Sequence, residues 1–342
     1  MNYVRGMIIG NAVGDALGLH YRNYPFEYEP IIKEHDYYDR AVKDFKKYPL
    51  GTLTDNSEIA LSLLRTLLKY DLSYNINAVI DNYLSWSNSK PLFNKKYFRK
   101  IFNHLKTVKG YCNRMESLMI TSDFDLREEN DFMIRSYPLA LLRNYDVVLT
   151  DTNITNPNNL CRIVNQIYVR LLSSTLNKRN NKSNLMIDTS LLNVNPTVKK
   201  IINLAINKIP FNFLEFNIQK NNNNWCLFTL YCLIYCLVHI NSFEEAMEWT
   251  VNQGGDISTN LAIVGTVMGA KIGYDSMLQE LHTSINISIV LLLETDRPKE
   301  YTLHDIDILC SIINEHLNEE RIEDFKMKTP KKRFHKKAKY NN

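Results

Sequence analysis

Two short segments gather the side chains that hold hard cations. Thr54, Asp55, Asn56, Ser57 and Glu58 follow Gly51 in the first, and Gly254, Gly255, Asp256, Ser258, Thr259 and Asn260 make up the second. Carboxylate, hydroxyl and amide oxygens are the ligands that Mg²⁺ selects, and paired glycines permit a backbone turn that a Cβ would block. Each segment also has a plain structural reading. Asp55 with Glu58 forms a capping box, and Asp256 with Thr259 an N-cap. Taken separately, neither segment separates metal binding from helix capping.

Both segments stand just ahead of helical patterns. After the first, Ala60, Leu63, Leu64, Leu67 and Leu68 recur at the spacing of three and four that marks one helix face. Ahead of the second, Ser242 and Glu245 open another helix as a capping box, followed by Ala246 and Trp249. Residues 225–240 carry no charge but fall short of the roughly 20 apolar residues a bilayer requires, so they predict a buried helix. Cys232 and Cys236 sit one turn apart inside it, a packing arrangement. Long alternating strand patterns are absent from the sequence, and the expected class is all-α.

Seven of the 11 glycines form two regular series, Gly6, Gly10, Gly14 and Gly18, then Gly265, Gly269 and Gly273. A spacing of four places each series on one helical ridge, at a cost of about 1 kcal/mol per glycine relative to alanine. Close backbone approach of a neighbour is the gain that offsets it. Residues 151–224 hold 19 of the 40 asparagines and predict extended surface loops between helices.

The chain has 342 residues, 45% of them apolar, with 41 Lys and Arg against 37 Asp and Glu. Eight of those cations lie in residues 326–342, which contain no acid; without them the body has 33 cations against 37 acids. The net charge of +4 therefore describes a tail, and does not make the body a nucleic-acid binder. One domain over residues 1–325 and a basic, flexible tail offering polyanion contact are expected. Six cysteines without a CxxC pair fit a reducing compartment. Asn11 and Asp15 interrupt the apolar N-terminus, so a signal peptide is not indicated and a cytoplasmic location, with no membrane contact, is expected.

Read in order, the motifs combine. They are Gly14-Asp15-Ala-Leu-Gly18, then Thr54-Asp55-Asn56-Ser57, then Asn130-Asp131 through Arg135 to Pro138, and last Gly254-Gly255-Asp256-Ile-Ser258-Thr259-Asn260. This series resembles the ADP-ribosylglycohydrolase family, over roughly residues 3–275. The resemblance implies an all-α fold whose cleft holds two Mg²⁺ ions. These bind the ribose hydroxyls of ADP-ribose and help water cleave its glycosidic bond to a modified acceptor, an ADP-ribosylated protein or another ADP-ribose-containing ligand. Carried over by position, Thr54, Asp55, Asp256 and Thr259 match the family's metal ligands, with Asp55 and Asp256 acting in catalysis through the metal. Gly254 and Gly255, with Asn130 and Arg135 of a loop at the substrate cleft, are the implied substrate-binding residues. Arg135 suits either a pyrophosphate or a structural salt bridge.

The departures from the pattern are specific. Asn56 and Ser258 stand where the family has Asp, Asp131 where it has Gly, and Arg22 where members carry a Glu near the scissile bond. Glu27 and Glu29 are close in sequence to that position. Two Mg²⁺ ions about 4 Å apart repel by something on the order of 15 kcal/mol at an effective dielectric of 20, so a pair needs several converging carboxylates. With two carboxylates left, the expectation is weak Mg²⁺ binding at a single position. Two functions follow: an ADP-ribosyl glycohydrolase, or a catalytically degenerate relative that binds ADP-ribose or serves a structural role.

Overall fold

The computed structural model describes residues 2–21, 48–49, 51–121, 127–142, 144–177, 195–216, 224–280 and 295–328. Among them the regular elements are helical, and β-pairing is confined to one isolated bridge between Glu129 and Trp225. In chain order the α-helices are α1 (Asn2–Gly18), α2 (Asp55–Lys69), α3 (Ile76–Asn88), α4 (Lys96–Phe102), α5 (Val108–Thr121), α6 (Asp146–Thr155) and α7 (Asn159–Leu176). After these come α8 (Pro196–Ile206), α9 (Cys226–His239), α10 (Phe243–Gln253), α11 (Ile257–Ile272), α12 (Tyr274–Glu280) and α13 (Ile306–Lys328). No helix of the described residues is long and apolar enough to cross a membrane.

The two glycine series face each other. A Cβ on Gly10 would run into the carbonyl of Gly265, and one on Gly265 into the carbonyl of Gly10. Gly6 and Gly269 obstruct each other in the same way, Gly14 lies against the Leu261 carbonyl, and a Cβ on Gly18 would lie 2.7 Å from Ser258 Cα. Bare ridges thus bring α1 and α11 together backbone to backbone, in the most extensive helix contact among the described residues. The thirteen residues from Ser258 to Ala270 of α11 are all buried, as expected of a helix apolar around its circumference. Gly273 is a correction: it is not part of the ridge but caps α11 with φ +88°, a left-handed conformation that favours glycine.

The leucine face of α2 is buried as its periodicity requires, with Ala60, Leu63, Leu64 and Leu67 all at 0% exposure. Each such leucine contributes about 1.5–3 kcal/mol of hydrophobic stabilisation. On the opposite side Arg65 holds both oxygens of Asp305, at 2.6 and 2.7 Å, tying α2 to the approach of α13. The uncharged run forms α9, and Cys232 and Cys236 are buried and unpaired within it.

The asparagine-rich region is a second correction. Its described parts are mostly helix, and the asparagines close the helix ends. Asn158 accepts from the Leu160 and Cys161 N–H groups at the start of α7, and Asn195 from the Thr197 N–H at the start of α8. Asn156, Asn177 and Asn207 terminate helices. A short amide satisfies end groups that the helix leaves unpaired, which is why it serves loops and caps alike. The final helix runs through Lys328, three residues into the basic segment; residues 329–342 lie outside the described residues.

Candidate functional site

Asp15, on the last turn of α1, reaches the N-terminus of α2. Its Oδ2 accepts from the backbone N–H groups of Thr54 (2.8 Å) and Ser57 (3.2 Å), and its Oδ1 from the Thr54 hydroxyl (2.5 Å) and the Asn56 side-chain amide (3.2 Å). Burial pushes the Asp15 carboxyl above the usual carboxylate range, and the Thr54 and Ser57 donors offset part of that shift. Thr54, not Asp55, is the N-cap of α2, with its hydroxyl accepting from the Asn56 N–H at 3.2 Å. The capping box expected of Asp55 and Glu58 does not form. Glu58 instead accepts from Arg297 at 2.6 and 2.9 Å and from the Trp86 indole at 2.8 Å.

The N-terminus of α11 meets that of α2 through a hydrogen bond from Asn56 Nδ2 to Ser258 Oγ, at 3.3 Å. Gly254 (φ +77°) and Gly255 (φ +74°) make the left-handed turn ahead of it, a pair of conformations that other residues adopt only with strain. Asp256 then caps α11, its Oδ1 accepting from the Thr259 N–H at 3.3 Å, as the sequence indicated. Asn56, Ser258 and Thr259 are buried, whereas the Asp256 side chain keeps 22% exposure.

Lys95, the residue before α4, enters between the two ends. Its backbone N–H donates to Asp55 Oδ2 at 3.0 Å. Its ammonium donates to Thr259 Oγ1 at 2.8 Å and lies 3.2 Å from Asp131 Oδ1 and 3.7 Å from Asp256 Oδ2. Asp131 also accepts from Arg127 at 3.0 Å. Burial alone would raise the Asp131 carboxyl, but the charges of Lys95 and Arg127 outweigh it and hold the group below its ordinary range. Asp131 does not distort its loop, which is a 3₁₀ turn over Asn130–Arg135, and it is not among the residues with positive φ.

That loop is anchored rather than open. The Asn130 N–H donates to the Asn224 carbonyl, and its side-chain amide to Thr229 Oγ1 at 3.0 Å. Thr229 donates in turn to Asn260 Oδ1 at 2.8 Å, and Asn260 reaches the Gly254 carbonyl at 3.5 Å. A relay of amides and hydroxyls therefore links the Asn130 loop to the glycine turn. Arg135 lies behind the loop, in the interior. It is fully buried, pairs with Asp151 Oδ2 at 3.1 Å, and donates to Thr155 Oγ1 (2.8 Å) and the Asp151 carbonyl (2.7 Å).

The structure thus brings Thr54, Asp55, Asn56, Asp256, Ser258 and Thr259 into one cluster, with Gly254 and Gly255 at its edge. Asn130 bonds instead to Thr229, and Arg135 to Asp151 and Thr155. Arg22, Glu27 and Glu29 lie outside the described residues. Lys95 and the pairing of Asp131 with it went unread in the sequence, where Asn94, Lys95 and Lys96 look like any solvated stretch.

A pair of Mg²⁺ ions does not fit this donor set. No group of three or more His, Cys, Asp or Glu poised for a metal occurs among the described residues. The Asn56 amide directs N–H groups, not oxygen, at Asp15 and Ser258, and its Oδ1, buried without a hydrogen-bond partner, could offer a cation a neutral oxygen but not the charge of the carboxylate it replaces. Thr259 Oγ1 and the Asp256 and Asp131 carboxylates already surround an ammonium.

The chain is similar in fold to a solved structure described as an ADP-ribosylglycohydrolase-related protein complex. The TM-score is 0.57 and the identity 21%, over 82% of this chain and 92% of that one. No curated protein matches it in sequence. The profile of the family described as ADP-ribosylglycohydrolase matches residues 1–296, which contain every element of the cluster. The chain belongs to the ADP-ribosylglycohydrolase family.

Proposed function

We propose that this cluster takes an ADP-ribosyl group and hydrolyses its glycosidic bond to a modified acceptor. The observation that carries the reading is the convergence of Asp55, Asp256, Thr259 and Lys95 on the facing ends of α2 and α11. Hydrolysis at an anomeric carbon needs a base that water can reach and fixed polar groups for the ribose hydroxyls. Asp55 and Asp15 are closed off at 0% exposure and Asp131 at 2%, so Asp256, at 22%, is the carboxylate of the cluster that solvent reaches. In this reading Asp256 takes the proton of the attacking water as the water oxygen bonds to the anomeric carbon and the bond to the acceptor breaks; the acceptor leaves with a proton taken from solvent, and Asp256 returns its own proton to solvent. Lys95, Gly254 and Gly255 hold the sugar beside it. Arg135 and Asn130 position the surrounding loop without touching the ligand.

A second reading, ligand binding without turnover, is favoured by one observation: Asn56 and Ser258 bond to each other where two carboxylates are the family's pattern. Incubation with ADP-ribosylated peptides, followed by detection of free ADP-ribose, separates the two. Release that Asp256→Asn abolishes supports hydrolysis; retention of intact peptide without release supports binding alone; neither release nor retention refutes both.

A further inference from the structure

We propose that Lys95 is the resident cation of this site, its tethered ammonium standing in for a divalent metal, so that the cluster assembles and takes its ligand without Mg²⁺. Three oxygens from two segments converge on Nζ: the Thr259 hydroxyl in the first turn of α11, the carboxylate of Asp256 that caps that helix, and the Asp131 carboxylate of the 3₁₀ loop. A hydroxyl with two carboxylates is the donor set of a hard cation. Here a single positive charge on a four-carbon stem occupies it. The same residue reaches Asp55 through its backbone N–H, so one residue bridges three of the acids around the site.

The neighbouring substitutions agree with this exchange. Asp131 is 2% exposed, and without Lys95 and Arg127 it would be a buried, unpaired carboxylate. Its presence in place of glycine makes sense where a permanent cation stands beside it. Asn56 removes a carboxylate from beside Asp15 and turns amide N–H groups toward Asp15 and Ser258, which supplies by hydrogen bonding the attraction a metal would have supplied. Lys95 is therefore more than a surface ion pair. Its side chain is 17% exposed, and it joins the Asp256–Thr259 end of α11 to Asp131, on a segment far away in sequence.

Two predictions of this inference are read without any substrate. Thermal unfolding of the wild type should shift by less than about 1 °C between EDTA and millimolar Mg²⁺. Lys95→Met should melt several degrees lower in EDTA and regain at least half of the loss in Mg²⁺, while Lys200→Met, which breaks the exposed pair with Glu215, should ignore the metal. Saturable stabilisation of the wild type by Mg²⁺ as large as that of Lys95→Met overturns the proposal, and so does a Lys95→Met protein indifferent to Mg²⁺. Should Lys95→Met not fold, calorimetric titration of the wild type with MgCl₂ alone decides: saturable heat refutes the exchange, and its absence with Lys95→Arg folded supports it. The ligand half rests on the reading of the previous section. ADP-ribose should bind the wild type equally in EDTA and Mg²⁺, and bind Lys95→Met at least tenfold more weakly in EDTA. No binding in either buffer would refute the ligand reading and leave the metal result standing.

Discussion

Alanine in place of a helical glycine normally gains about 1 kcal/mol, because the backbone loses less freedom on folding. At the α1–α11 contact the sign should reverse. The atoms that a methyl on Gly6, Gly10 or Gly14 would strike are main-chain carbonyls of α11, which have no rotamer to turn away, so the helices themselves must part. Overpacking of this kind costs about 1–3 kcal/mol, and a backbone obstacle belongs at the upper end, giving a net loss of about 2 kcal/mol for Gly10→Ala. Gly110 in α5 is the internal control. A Cβ there would meet only side-chain atoms of Thr107 (3.3 Å) and Leu105 (3.6 Å), so Gly110→Ala should be neutral or stabilise by up to about 1 kcal/mol. Gly10 and Gly265 each obstruct the other's carbonyl, and one separation of the helices relieves both. The double alanine variant should therefore cost less than the sum of the single changes. Urea unfolding at constant m-value measures all four proteins. If the ridge alanines raise the midpoint as Gly110→Ala does, close approach of α1 and α11 is refuted.

Arg135→Met should cost about 3–5 kcal/mol by stranding buried Asp151, with much of the loss recovered by adding Asp151→Leu; ligand affinity lost at unchanged stability would instead return Arg135 to a binding role. Asp131 has a folded pKa below its unfolded one, so its contribution is fully present above the ordinary carboxylate value and disappears as pH falls through the folded pKa. Asp131→Asn should accordingly be less stable at neutral pH and show a flatter acid limb in a pH series of melting temperatures. Asn56→Asp places a second carboxylate beside Asp15, where the amide now donates at 3.2 Å, a repulsion on the order of 5 kcal/mol at an effective dielectric of 20. Its melting temperature should fall at neutral pH, recover on acidification, and recover further in Mg²⁺. Removing residues 329–342 should leave the melting temperature unchanged and abolish salt-sensitive retention on heparin, as a chromatographic gradient will show.

The parts of this fold that were legible in the sequence are those where one physical cause leaves one pattern. Glycines at a spacing of four have little reason to recur except a bare ridge, and both ridges are there; only Gly273, where the same residue type serves a helix end, was misread. Asparagine leaves the same trace in a loop and at a helix terminus, so Asn158 and Asn195 pointed to loops while they cap α7 and α8. In the site, the gathering of Thr54, Asp55, Asp256 and Thr259 was legible from the order of the motifs along the chain, since each segment alone reads equally well as a helix cap. Lys95 was not. Its role depends on the chain between α3 and α4 folding back onto Asp55 through a backbone N–H, a contact that carries no side-chain signature.

The substitutions in the cluster are consistent only when taken together. Asn56 alone would weaken a metal site, but beside Asp15 it supplies a donor to a carboxylate that burial disfavours as an anion. Asp131 alone would bury a charge, but beside Lys95 and Arg127 it becomes the acceptor that fixes the ammonium. Lys95 alone would put a cation among ligands meant for a metal, but with one carboxylate replaced by Asn56 and another by Ser258, it meets a donor set already adjusted to a smaller positive charge. Each change removes the cost of another, and that mutual dependence distinguishes a site rebuilt around a tethered cation from one that has merely lost its ligands.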